Sequence, residues 1–259
     1  MSAAITLWSK HMTKLRVHPE EAVGLLIQPI LWIVLFGIGM KGLLAPTMPG
    51  GGDAYMTFMV PGIVALTALG SAIAGGLVWL NERILGIAKE YLVSPIPRIS
   101  ILTGNALSIV TKTLFQAIII LVIGILMGAQ GVLDPIGWLG GLILITGFGL
   151  GFAGIALAVA SKTNDPGSYH MLIFLLQLPL LFMSNALYPL TALPTWMEVC
   201  ARANPTTYVI DGMRQTFLDS SATLVGSDLL SLWLCFVVVG VFAVFGMGLA
   251  YTAFKRSIK

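Results

Sequence analysis

Six long apolar stretches divide this sequence, at 22–44, 58–80, 113–129, 136–160, 171–187 and 229–254. A helix needs about 20 mostly apolar residues to cross roughly 30 Å of hydrocarbon. In lipid the backbone must satisfy its own hydrogen bonds, so single stretches of this kind cross as α-helices. Composition excludes a water-soluble fold: 57% of the 259 residues are hydrophobic and 10% are charged, against about 25% charged in soluble domains. The reading is an all-α integral membrane protein with six transmembrane helices in a single transmembrane domain, 1–259. Six crossings take up about half of such a chain and leave no room for a nucleotide-binding or catalytic domain.

The charges that remain are sorted. Of the 14 basic residues, Lys10, Lys14, Arg16, Arg83, Lys89, Arg98, Lys112, Lys162, Lys255, Arg256 and Lys259 fall on one side of this arrangement, and Lys41, Arg202 and Arg214 on the other. The bias of Lys and Arg toward cytoplasmic loops then places both termini in the cytoplasm, as an even number of crossings requires. Lys112 lies inside an apolar pattern that begins near Ser100. A lysine at mid-membrane costs about 3 kcal/mol, so the start of that helix is placed in water or headgroups, with hydrocarbon from Thr113.

Between the spans, three segments are more than tethers. Segment 1–21 reads as an N-terminal amphipathic interfacial helix ended by Pro19, with Ile5, Trp8, Met12 and Leu15 on one face and Lys10, Lys14 and Arg16 off it. Its polar, basic character is not that of a cleavable signal. Segment 81–93 is amphipathic too: Ile84, Ala88 and Tyr91 share a stripe, and Glu82, Arg83, Lys89 and Glu90 lie off it. The segment before the last span carries Pro189, Pro194 and Pro205 among apolar and aromatic residues. Cys200 and Cys235 are too few for a disulfide framework and read as unpaired.

Chemistry within the chain is sparse. Gly149, Gly151 and Gly154 form a G-x-G-x-x-G spacing, but inside a span, where glycines let helices approach closely; Gly147 and Gly151 repeat that small-residue spacing. A phosphate loop is absent from the sequence. Ser71 lies in the second span, yet no histidine falls in a span core to activate it; His11, His18 and His170 lie outside or at an edge. These histidines and the two cysteines have no metal-ligand spacing. All 11 acidic residues lie outside the span cores, which weighs against ion-coupled transport. The polar residues left inside are Gln28, Gln116, Gln177, Ser184 and Asn185, suited to inter-helix bonding or to substrate contact.

Two segments carry a family resemblance. The inner one runs Asn81-Glu82-Arg83, Gly86, Glu90, Leu92-Val93, then Ser94-Pro95 and Arg98. It resembles the first cytoplasmic loop of ABC-2 type exporter permeases. The outer one, Ser184-Asn185-Ala186-Leu187-Tyr188-Pro189 through Pro194-Thr195-Trp196 and on to Asn204-Pro205, Tyr208, Asp211-Gly212 and Arg214, resembles the same family. Order, spacing and six-span topology match over essentially the whole chain. Two departures stand out: Ile87-Ala88-Lys89 where the family often has a Thr before its Glu, and Asn185 where Gly is common.

The resemblance implies the type V exporter fold and a permease dimer, here of two copies of this chain, docked on two copies of a cytosolic ABC ATPase. ATP and Mg would be bound by that ATPase, with no cofactor on this chain and no nucleic acid among its partners, which also include membrane lipids. It implies a coupling helix at 81–93, with Glu82, Arg83, Ile84, Ala88, Lys89, Glu90, Tyr91 and Arg98 meeting the ATPase. It further implies a re-entrant extracellular segment at 188–214, gated by Tyr188, Pro189, Pro194, Asn204 and Pro205. Gln28, Phe182, Met183 and Asn185 are expected on the substrate pathway, and the substrate is expected to be a lipid, glycolipid or hydrophobic drug. The expected location is the inner membrane of a prokaryote. An ion-coupled transporter or channel, and a non-transporting scaffold, stand as alternatives.

Overall fold

The computed structural model describes residues 3–44, 51–93, 97–131, 134–187, 190, 193–217 and 230–257. Among them every helix or strand of any length is a helix: α1 (Ala3–Val17), α2 (Pro19–Leu44), α3 (Gly51–Ile84), α4 (Ile87–Val93), α5 (Arg98–Leu126), α6 (Pro135–Lys162), α7 (Pro166–Phe182), α8 (Thr195–Ala203), α9 (Pro205–Phe217) and α10 (Leu232–Ser257). Several starts follow from local chemistry. Asp134 accepts from the Ile136 and Gly137 amides, Asp165 from the Ser168 amide and Asn204 from the Thr206 amide. In each case proline follows the cap, where its missing N–H costs nothing.

Among the described residues five helices are long and apolar enough to cross a membrane: Pro19–Gly39, Ala54–Ile84, Arg98–Leu126, Pro135–Lys162 and Leu232–Lys255. The stretch expected to supply the remaining crossing forms α7, apolar but 17 residues long, or about 26 Å. It begins earlier than its apolar run, because Asp165-Pro166 fixes its start, and it ends in turns at Met183–Asn185.

The centre of the bundle is α6 packed on α10 and α3. Gly147 faces Val239, Gly151 faces Phe242, and a Cβ on Gly154 would collide with the backbone of Gly246. The glycine spacing is therefore a packing device, as its place within a span implied. Gly154→Leu should overpack this seam by about 1–3 kcal/mol or more, because backbone cannot give way as a side chain can. Gly240→Ala, with nothing within 4 Å of the added methyl, is the matched control. The fraction of protein still monodisperse after heating in detergent should fall only for the first.

Two sequence expectations are corrected. Residues 81–84 are not part of a separate loop helix: α3 continues through Ile84 over 34 residues, about 51 Å. It breaks at Leu85–Gly86, where Gly86 has φ +82°, a backbone that side-chain-bearing residues avoid. Only Ile87–Val93 forms the short helix beyond it. In α1 the fully buried residues are Leu7 and His11, with Trp8, Met12 and Leu15 half-buried, while Ile5 stays exposed. The rotation has a cause, since Gly104 of α5 offers a notch that Leu7 fills and Trp8 donates to the Thr111 hydroxyl at 3.0 Å.

Candidate functional site

At the end of the molecule shared by α1, α4 and the last turn of α3, charged residues fasten three elements together. Lys10 Nζ donates to Glu82 Oε1 at 2.6 Å and also to the Tyr91 hydroxyl, which lies 3.5 Å from Glu82 Oε2. Burial disfavours the Lys10 ammonium, but the hydrogen bonds it donates to Glu82 and Tyr91 outweigh it and hold its pKa above the ordinary value. Beside it His11 is buried, with no partner for Nε2 among the described residues. Burial keeps that imidazole below its usual pKa despite Glu82 nearby. Arg83 donates to the Ala160 and Thr163 carbonyls, at 2.5 and 3.1 Å, where α6 ends.

Glu82 and Arg83 therefore serve the chain's own packing. Ala88 is buried and Tyr91 half-buried against it, so Ile84, Ala88 and Tyr91 do not form one outward stripe. The break at Gly86 resets the helical register between Ile84 and Ala88. What faces outward is Ile84, Leu85, Lys89, Glu90 and Val93, with Leu85 74% and Val93 88% exposed. Arg98 opens α5 and lines a cleft with Tyr251 and Lys255 of α10. Lys112 has its own counter-ion: Glu21 bridges it at 3.1 Å and Lys14 at 3.2 Å.

Higher in the bundle, α2, α3, α5 and α7 enclose a cleft of about 490 Å³. Its polar lining is Gln28, Thr67, Ser71, Gln116, His170 and Gln177, set among Leu25, Trp32, Leu66 and Leu181, with no Asp, Glu, Lys or Arg. Ser71 donates to Gln116 Oε1, and Gln116 Nε2 donates to the Leu25 carbonyl at 3.1 Å. The amide of Gln116 is thus spent on holding α2, α3 and α5 together. Gln28 is exposed to the cleft. Of the four residues expected on a pathway only Gln28 lines it; Phe182 is the last residue of α7, and Met183 and Asn185 lie just beyond it.

Met183 and Asn185 belong to a cap at the opposite end. Asn204 Nδ2 donates to the Leu180 and Met183 carbonyls at 2.8 and 2.7 Å, while its Oδ1 caps α9. Pro194 precedes α8 and Pro205 opens α9; Tyr188 and Pro189 lie outside the described residues. Beneath them is a network that counting charges did not reveal. Arg214 is 1% exposed and donates to the Phe58 carbonyl at 3.2 and 3.0 Å, to the Asn185 carbonyl at 2.7 Å and to Asp211 at 3.3 Å. Its guanidinium lies 3.8 Å over the Phe58 ring. Asn185 Nδ2 in turn donates to Asp211 Oδ1. The signal was an Asp and an Arg three apart on one helical face.

The arrangement has a helix tip built to be seen from outside, a long α3 behind it and an uncharged cleft along that helix. The sequence profile of the ABC-2 type transporter family matches residues 3–218. The chain belongs to the ABC-2 type transporter family. A putative transport permease ycf38 from Cyanophora paradoxa is 31% identical over 218 residues, which covers 80% of this chain and 71% of that protein. The probable multidrug ABC transporter permease YbhR of Escherichia coli K12 is 29% identical over 210 residues, or 79% of this chain and 54% of that longer relative. The daunorubicin resistance permease protein DrrB1 of Streptomyces coeruleorubidus is 22% identical over 215 residues, covering 83% and 75%. As an ABC-2 permease, the chain is a multi-pass membrane transport subunit that works with an ABC ATPase subunit.

Proposed function

We propose that this ABC-2 permease is the membrane half of an exporter that moves an apolar or amphiphilic molecule out of the cytoplasm or the inner leaflet. In this reading α7 is the sixth crossing, both termini are cytoplasmic, and two copies of the chain stand on two ATPase subunits in a prokaryotic inner membrane. The observation that carries it is the cleft, whose neutral amides and hydroxyls among apolar walls suit a lipid or hydrophobic drug with an uncharged polar part. A small ion would need charged or carbonyl ligands in the membrane interior.

The ATPase docks on the tip formed by Ile84, Leu85, Lys89, Glu90 and Val93, and ATP with Mg stays on that partner. Closure of the ATPase pair pushes the two tips together. Glu82 and Arg83 pass the displacement on, because they tie the tip to α1 and to the end of α6. The segment held by Asn204, Pro194 and Pro205 covers the outer exit, with Tyr188 and Pro189 at its start.

The test is reconstitution. The chain is purified with an ABC ATPase subunit that binds it, placed in vesicles, and followed for ATP-dependent movement of a fluorescent lipid or hydrophobic dye. ATP-driven movement is expected. Movement by the chain alone without ATP points to a channel or an ion-coupled carrier, and a stable complex that moves nothing points to a scaffold. Leu85→Glu with Val93→Glu should weaken co-purification of the ATPase, since burying such side chains stabilises a contact by about 1.5–3 kcal/mol each.

A further inference from the structure

At the inner end of α10 a second cleft, of about 370 Å³, is lined by Arg98, Ile99, Leu102, Tyr251, Phe254 and Lys255. Its two cations stand at membrane boundaries: Arg98 is the first residue of the apolar span Arg98–Leu126, and Lys255 the last of Leu232–Lys255. They lie at the tip end of the bundle, because Phe254 stacks on Trp79 at 4.8 Å, one turn before Glu82 and Arg83. Neither cation has an ion-pair partner among the described residues, whereas Lys10, Lys14, Lys112, Arg202 and Arg214 each have one. No acidic side chain lines the cleft. The α5 terminus adds to the positive field: Pro97 precedes it without a side-chain cap, and of its first amides Ser100 is bonded to the Pro97 carbonyl, while those of Arg98 and Ile99 carry the positive end of the helix dipole.

The floor is different in kind. Leu102 and Phe254 are buried, and Ile99 and Tyr251 are half exposed at the rim. A mouth with two cations over an apolar floor, with a phenol at the interface, matches a phosphate headgroup attached to acyl chains. A soluble phosphate would leave the floor unused, and an acidic protein segment would not seek a site at the edge of hydrocarbon. We propose that this cleft binds the headgroup of one anionic phospholipid of the cytoplasmic leaflet, with Arg98 and Lys255 on the phosphate and Tyr251 at its edge. The site is separate from the transport cleft and does not depend on the substrate proposed above.

The test uses the full chain in detergent and short-chain phosphatidylglycerol, with phosphatidylcholine and inorganic phosphate as comparisons. Native mass spectrometry of the wild type should show one tightly held phosphatidylglycerol, not displaced by millimolar phosphate. Arg98→Gln with Lys255→Gln should weaken that binding about thirty-fold, at roughly 1 kcal/mol per cation, while Arg98→Lys with Lys255→Arg should largely retain it. Melting in phosphatidylcholine alone, equal for wild type and the Gln variant, shows that the variant is folded. If the Gln variant is unstable, Tyr251→Ala and Lys255→Glu are read in the same assay. Unchanged lipid retention in the charge-removed variants overturns the proposal. So does equal competition by free phosphate, which makes it a soluble-anion site. Loss of ATPase co-purification with lipid binding intact overturns it in favour of a protein-docking site.

Discussion

Asp211→Ala should be among the most damaging single substitutions in this permease, lowering stability by about 3–5 kcal/mol. Arg214 is among the largest fully buried side chains of the described residues, and Asp211, 3.3 Å away, is the acidic group paired with it. Removing Asp211 leaves a guanidinium with only neutral partners, the Phe58 and Asn185 carbonyls and the Phe58 ring. An uncompensated charge there costs far more than the pair itself contributes, because two buried charges repay little of their desolvation. The double variant Asp211→Ala with Arg214→Met should therefore melt higher than Asp211→Ala alone. Arg214→Lys should fall between wild type and Asp211→Ala: one ammonium keeps the charge but cannot span two carbonyls from a planar fork. Heating in detergent followed by size-exclusion chromatography reads the order. An Asp211→Ala protein as heat-resistant as wild type would show that the pair does not hold α9 to α3.

That pair also marks where the sequence stops being legible. The spans were readable because burial in lipid imposes length and apolarity on every one of them. Among the described residues five appear as crossing-length helices, and α7 departs because it ends early, in turns at Met183–Asn185 where Asn204 takes the Leu180 and Met183 carbonyls, although the Asp165-Pro166 cap starts it sooner than an apolar count does. The Gly147–Gly151–Gly154 ladder was readable because glycine has few uses inside a span. Side-chain facing was less so. Glu82 and Arg83 look like surface charges until the chain places Lys10 and the end of α6 beside them, contacts separated by 72 and 77 positions. Ile84 and Ala88 share a face on paper because an unbroken helix puts i and i+4 together, and one glycine at φ +82° undoes it. The cleft lining came partly into view, since Gln28, Gln116 and Gln177 were singled out as polar residues in apolar spans. Which of them faces open space, and which is consumed in bonding, depends on the packing of four helices.

Reversing one charge of the clamp at the tip should cut ATP-driven transport by at least an order of magnitude while the ATPase stays bound. With Glu82→Lys an ammonium faces Lys10 across a gap now bridged at 2.6 Å, and two like charges near a protein surface repel by about 4 kcal/mol at 4 Å. His11, buried beside Glu82, and Lys112, which also acts on His11, offer the new ammonium no negative charge. The amphipathic α1 should separate from the end of α3, and Tyr91 loses the lysine that anchors α4. The exposed residues Leu85, Lys89 and Val93, proposed above as the docking face, are untouched, so hydrolysis should continue without productive movement of the bundle. Lys10→Glu should act the same way through the opposite repulsion, two carboxylates facing one another beside the Tyr91 hydroxyl. Combining the two reversals restores an ion pair of inverted polarity and should recover much of the ratio of transport to hydrolysis. A Leu85→Glu variant gives the contrasting pattern, with the ATPase lost from the complex and hydrolysis falling along with transport. If both single reversals co-purify with the ATPase and transport as well as wild type, force does not pass through this clamp. If both fail and the combined variant, shown to be folded by its melting profile, fails equally, then Lys10 and Glu82 act separately and α1 is not carried by α3.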